Sequence, residues 1–116
     1  MGTSQEKRRF SRVPLQARVT VSLPTRQVSV KANVMDISLD GVRLICSESI
    51  SKDEDALLTF HLRSRAGLTS EVVGGRVIHT RMDDDAWLVG LKFKQVLDQR
   101  RTPLLAQAAS RRDPQP

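Results

Sequence analysis

The chain is poor in the residues from which small proteins build cross-links and reactive sites. Cys46 is its only cysteine, which excludes an intrachain disulfide framework. Because Cys46 continues the apolar positions Val42 and Leu44, it reads as a small buried hydrophobe and not as a nucleophile. The two histidines, His61 and His79, stand in no catalytic context with it, so the pattern offers no nucleophile–base arrangement and no enzyme is expected. Aromatic residues are equally scarce: three Phe, one Trp and no Tyr, most of them on inward positions. That is too few for the stacking platforms on which single strands of nucleic acid are bound. No apolar run approaches the length of a membrane span, and MGTSQEKRRF is polar where a secretory signal carries its apolar region. Met1-Gly2 opens like a myristoylation site, but Glu6 stands where that motif takes Ser or Thr. A cytoplasmic protein without membrane insertion is the expectation.

What the chain does have is positive charge. Its 116 residues fit one domain with a core of its own, and 19 basic against 13 acidic residues leave a formal net charge of +6. The balance favours an anionic partner, while the carboxylates argue against a uniformly basic nucleic-acid coat. The densest cations are in Lys7-Arg8-Arg9-Phe10-Ser11-Arg12. With no carboxylate among them they are either solvated, as basic arms commonly are, or meet an anion from outside. Arg8 and Arg12, four apart, project to one side and suit bidentate contacts to neighbouring phosphates. Val13-Pro14 disfavours continuation of a helix, so a clamp on a terminal arm is expected at residues 1–14, its first six residues disordered.

From Ala17 onward the apolar residues alternate. Val19, Val21 and Leu23 predict one strand, and Val28, Val30, Ala32 and Val34 a second that pairs with it across the Pro24-Thr25 turn. Val42, Leu44 and Cys46 predict a third, Ala56, Leu58, Phe60 and Leu62 a fourth, and Glu71 to Thr80 a fifth. Gly74-Gly75 inside the fifth predicts a bulge or sharp bend. Asp83-Asp84-Asp85 then caps a hairpin, and Trp87, Val89, Leu91 and Phe93 form the sixth strand. The acidic run Asp53-Glu54-Asp55 is expected to solvate a loop, and His61 to lie on a wet face without a role. Leu97, Arg101, Leu104, Leu105 and Ala108 predict a C-terminal helix. It starts either at Thr102 as N-cap with Pro103 in the first turn, or at Asp98 with Pro103 as a kink. The fold class expected is all-β with a C-terminal helix, a six-stranded antiparallel β-barrel with its helix over residues 15–110, and a disordered tail at 111–116.

Between the second and third strands lies Asp36-Ile37-Ser38-Leu39-Asp40-Gly41. Asp40-Gly41 is an ordinary hairpin signal, and Asp36 or Ser38 could equally serve backbone amides in a turn. Taken together, however, KRRFSR and DISLDG resemble the two-part signature of the PilZ domain family, RxxxR followed by [D/N]xSxxG, with neither half interrupted. GGRVIHTRMDDDAWLVGLKF is similar to the closing hairpin of the same family.

The resemblance implies a small β-barrel that binds the bacterial second messenger cyclic di-GMP, two guanosines joined by two phosphodiesters. It implies that Arg8 and Arg12 take phosphate or the guanine O6/N7 edge, that Arg9 stacks on a guanine or supports a phosphate, and that Lys7 occupies a position tied to ligand stoichiometry. Asp36 would accept from guanine N1 and N2, Ser38 would add a hydrogen bond, and Gly41 would let backbone come close. His79 lies where relatives carry an aromatic near the purine, although a structural or surface place suits it as well. The function expected is a receptor whose arm changes conformation on binding and signals to a partner protein. A small basic barrel binding single-stranded nucleic acid is the alternative.

Overall fold

The computed structural model describes residues 10–110 of the chain; Lys7, Arg8, Arg9 and the tail at 111–116 lie outside the described residues. Seven strands and one helix follow in order: β1 (Val13–Pro14), β2 (Arg18–Leu23), β3 (Val28–Ile37), β4 (Gly41–Cys46), β5 (Asp55–Ser64), β6 (Gly67–Asp83), β7 (Ala86–Phe93) and α1 (Pro103–Ser110). All pairings are antiparallel, and neighbours run β3-β2-β5-β6-β7-β4 before β4 returns to β3. The six strands expected from alternation therefore form a closed ring, which leaves no long unpaired edge. No helix among the described residues is long and apolar enough to cross a membrane.

Alternation sends one side of each strand inward. Val19, Val21 and Leu23 of β2, Leu58 and Phe60 of β5 and Leu91 of β7 are all buried. Each such side chain is stabilised by about 1.5–3 kcal/mol through loss of its hydrated surface. Phe60 and Phe93 meet edge to face at 6.4 Å, so two of the four aromatics are spent in the core. Cys46 is buried there too, and burial pushes its thiol up to about 11, with a smaller contribution from Glu48.

Several local expectations need correction. The first paired residues, Val13 and Pro14, lie opposite Ile37 and Asp36, a strand too short to show alternation in sequence. The pairing of β5 with β6 runs through Gly74 and Gly75 without a break, opposite Leu57 and Ala56. The irregularity in β6 falls instead between Val77 and His79. The glycine pair sits where β6 passes from β5 to β7, and a Cβ on Gly75 would come within 3.1 Å of the Lys92 carbonyl oxygen. The acidic run is paired rather than merely solvated: Glu54 accepts from Arg26 at 2.9 Å, and Asp55 meets Arg76 and Lys94. Those cations, Arg76 first, hold the Asp55 carboxyl below its usual range.

The helix starts at Pro103, after a turn in which Asp98 accepts from the Arg100 and Arg101 amides and is thereby held at a lowered pKa. Thr102 does not cap the helix with its hydroxyl, which donates to the Asp98 carbonyl. The free amides of Leu104 and Leu105 are taken at 3.0 and 2.9 Å by the two carboxylate oxygens of Glu71 on β6. A charged acceptor at a helix N-terminus satisfies its orphan donors and its dipole together. Leu105, Ala106 and Ala109 then pack into the core.

Candidate functional site

The turn between β3 and β4 is built by its own polar groups. Ser38 N–H donates to the Gly41 carbonyl at 2.8 Å, and the Ser38 hydroxyl donates to Asp40 Oδ1 at 2.7 Å. Ser38 is buried, so its hydroxyl holds the turn from inside. The turn is tied down from outside by the Phe93 amide on the Asp40 carbonyl and the Leu97 amide on the Leu39 carbonyl. Gly41 has a steric reason of its own: a Cβ there would stand 2.7 Å from the Leu91 carbonyl oxygen, backbone that cannot swing away. The close approach it permits within this chain is that of β4 to β7.

Counting outward from Ser38 opposite Gly41, the register sets Ile37 against Val42 and Asp36 against Arg43. Arg43 donates through Nε to both Asp36 oxygens at 3.1 and 3.0 Å and again through a terminal nitrogen to Oδ2. The hydrogen bond to Asp36 holds the Arg43 proton more firmly than usual. From the other side, β1 brings Arg12 beside the same carboxylate, with a terminal guanidinium nitrogen 3.5 Å from Asp36 Oδ1. The Asp36 side chain is only 14% exposed, while those of Arg12 and Arg43 are 36% and 48% exposed. Two accessible guanidiniums around one sheltered carboxylate leave a net positive site with donors facing out, and one acceptor below them.

The row continues across the sheet. Arg43 is opposite Gly90 on β7, and Gly90 is opposite His79 on β6. Asp36, Arg43, Gly90 and His79 thus form a transverse line over four strands, with His79 exposed and no side chain on Gly90 to stand between it and Arg43. A flat ring laid along this line would have cations and a carboxylate at one end and an imidazole at the other.

Of the residues singled out in sequence, the structure brings Arg12 and Asp36 together, with Ser38 and Gly41 in the turn beside them. Lys7, Arg8 and Arg9 lie outside the described residues. Arg43 was not singled out. Its signal was available, since a two-residue turn at Leu39-Asp40 sets opposite charges directly across the hairpin. His61 is exposed and shares a 2.9 Å hydrogen bond with Thr20, away from this row.

No group of His, Cys, Asp and Glu among the described residues is placed to hold a metal ion. No curated protein matches the chain in sequence. Similar folds are found in the inhibitor of motility MotI/DgrA from Bacillus subtilis, with TM-score 0.70, 14% identity and 87% of this chain covered. The chain spans 49% of that protein's length. A further similar structure is the PilZ domain of YcgR from Escherichia coli with c-di-GMP, with TM-score 0.63, 12% identity and 90% of each chain covered. The PilZ domain model matches residues 6–108, which take in the basic arm, the Asp36–Gly41 turn, the ring and most of α1, and the chain therefore belongs to the PilZ domain family.

Proposed function

We propose that the chain is a non-catalytic, cytoplasmic receptor for cyclic di-GMP. The observation that carries this reading is the meeting of Arg12 and Asp36 at 3.5 Å, because it joins the two halves of the signature around one point on the outer face of the ring. The PilZ domain of YcgR with c-di-GMP, which this fold resembles, supports the choice of ligand.

In this proposal Arg8, Arg12 and Arg43 serve the two phosphodiesters and the guanine O6/N7 edge. Arg9 stacks on or supports the ligand, and Lys7 lies at its margin. Asp36 accepts from guanine N1 and N2. A carboxylate has about four acceptor positions, so Asp36 keeps one contact to Arg43 while the ligand displaces the others. Charge-assisted hydrogen bonds net about 1.5–3 kcal/mol each, and three or four of them with guanine stacking reach the ~8 kcal/mol of a micromolar site. The arm exchanges its contact with Asp36 for contacts with the ligand, and the changed surface is what a partner protein reads.

Isothermal titration with cyclic di-GMP, GTP and a short single-stranded oligonucleotide tests the proposal. The cyclic dinucleotide should bind in the micromolar range or tighter and the other two far more weakly. Arg12→Ala should cost at least about tenfold in affinity while ligand-free stability stays within about 1 kcal/mol, as for an exposed ion pair. Preferential binding of the oligonucleotide, or unfolding of the Arg12 variant, would overturn the assignment.

A further inference from the structure

The outer face of β2, β3 and β5 carries a second positive feature that the row at Asp36 does not use. A groove of about 780 Å³ lies there, and its lining residues include Arg18, Lys31 and Arg63 but no carboxylate. Strand alternation dictates this arrangement: Val19, Ala32 and Leu62 face the core, so their neighbours in sequence face out. Arg18 stands opposite Asn33 on one side and His61 on the other, both in the groove wall. Elsewhere on the ring Arg26, Arg43, Arg76 and Lys94 each meet a carboxylate. Among the described residues no carboxylate pairs with Arg18, Lys31 or Arg63.

Three like charges on one concave face repel one another and lower stability in the free chain. An anionic occupant removes that cost. The groove wall holds no Phe, Tyr or Trp to stack a base, and its one ring, His61, is tied to Thr20 at 2.9 Å, whereas Asn33 offers an amide and Leu68, 79% exposed, offers an apolar edge. Amide and aliphatic groups beside cations match a polypeptide better than a nucleic acid.

We propose that this groove docks an acidic, extended segment of a partner protein that carries an apolar residue at the end resting on Leu68. Carboxylates of the segment pair with Arg18, Lys31 and Arg63. Because none of these residues belongs to the Asp36 row, docking is compatible with an occupied nucleotide site.

The test uses the full chain and a fluorescein-labelled peptide of glutamates ending in leucine, followed by anisotropy at about 0.1 M ionic strength. Controls are a lysine-for-glutamate peptide and a labelled oligothymidylate. Saturable binding of the acidic peptide is expected, weakened about tenfold or more in an R18Q/K31Q/R63Q variant whose thermal unfolding is unchanged or raised. R81Q, a cation removed outside the groove, should change the affinity less than about twofold, and saturating cyclic di-GMP should not displace the peptide. Failure of the peptide to bind, tighter binding of the oligothymidylate, an equal loss in R81Q, or displacement by cyclic di-GMP would each overturn the docking assignment. All four outcomes are read separately from the direct titration of cyclic di-GMP.

Discussion

Replacing Gly41 by alanine separates two explanations of the glycine in the DISLDG turn. If the glycine serves only to let a ligand approach, the ligand-free chain should not notice an added methyl. The structure argues otherwise. The new Cβ would lie 2.7 Å from the Leu91 carbonyl oxygen, and the next nearest atoms, Lys92 Cα and Leu91 C, are also backbone. Relief requires β4 and β7 to separate by several tenths of an ångström, which strains the Gly41–Lys92 pairing and the Ser38–Gly41 hydrogen bond. Overpacking of this kind costs about 1–3 kcal/mol. Against it, alanine restricts the unfolded chain and returns about 0.4–1 kcal/mol, and Gly41 is not at a positive φ that alanine would resist. Sterics should win by about 1–2 kcal/mol. For a domain of this size that lowers Tm by roughly 4–8 °C. Urea and thermal unfolding without ligand measure it directly. A ligand-free Gly41→Ala chain as stable as the parent, with cyclic di-GMP affinity alone reduced, would refute the steric account.

Three other perturbations follow from particular contacts. Glu71→Ala leaves the Leu104 and Leu105 amides without their carboxylate and should cost about 1–2 kcal/mol; hydrogen exchange at those two amides should quicken, and unchanged protection would show the cap to be idle. Cys46 has its thiol pKa raised by burial from 9.0 to about 11, so the stability it confers is complete below about pH 9 and is lost as pH rises toward 11. The stability advantage of the parent over Cys46→Ala should therefore shrink by roughly 2–3 kcal/mol across that interval, and a constant difference would contradict the buried thiol. Arg43→Ala should lower cyclic di-GMP affinity by about tenfold while costing the free chain less than about 1 kcal/mol, because the Asp36 pair is partly solvated; affinity equal to the parent's would exclude Arg43 from the site.

The departures from the sequence reading share a cause. Gly74-Gly75 suggested a bulge or a sharp bend because a glycine pair inside a strand has no local need for its missing side chains, and it is the bulge that the unbroken pairing rules out. The need was for a partner change, visible only once β6 is seen to leave β5 for β7. Thr102 before Pro103 marked the helix start correctly, its carbonyl accepting from the Ala106 amide, yet the side-chain cap on the Leu104 and Leu105 amides comes from the distant Glu71 and not from the Thr102 hydroxyl. Asp53-Glu54-Asp55 looked solvated because its partners, Arg26, Arg76 and Lys94, arrive from three other segments. Arg43 was within reach of sequence reasoning, since hairpin register is a local property and Asp36 lies directly across from it.

The six strands of the ring, their inward faces, the hairpin at Asp83-Asp84-Asp85 and the likeness of KRRFSR and DISLDG to a known signature were all legible in the order of residues, while the two-residue β1 was not. Side-chain alternation has a period of two along the chain, and turn chemistry acts over four residues, so neither needs the rest of the molecule. The order of strands round the ring, the 3.5 Å approach of Arg12 to Asp36, the transverse line to His79 and the groove on β2, β3 and β5 whose cations pair with no carboxylate among the described residues were decided by tertiary structure alone. Those features depend on which strands become neighbours and in what register, and that is set by how one buried core can be enclosed rather than by any local stretch.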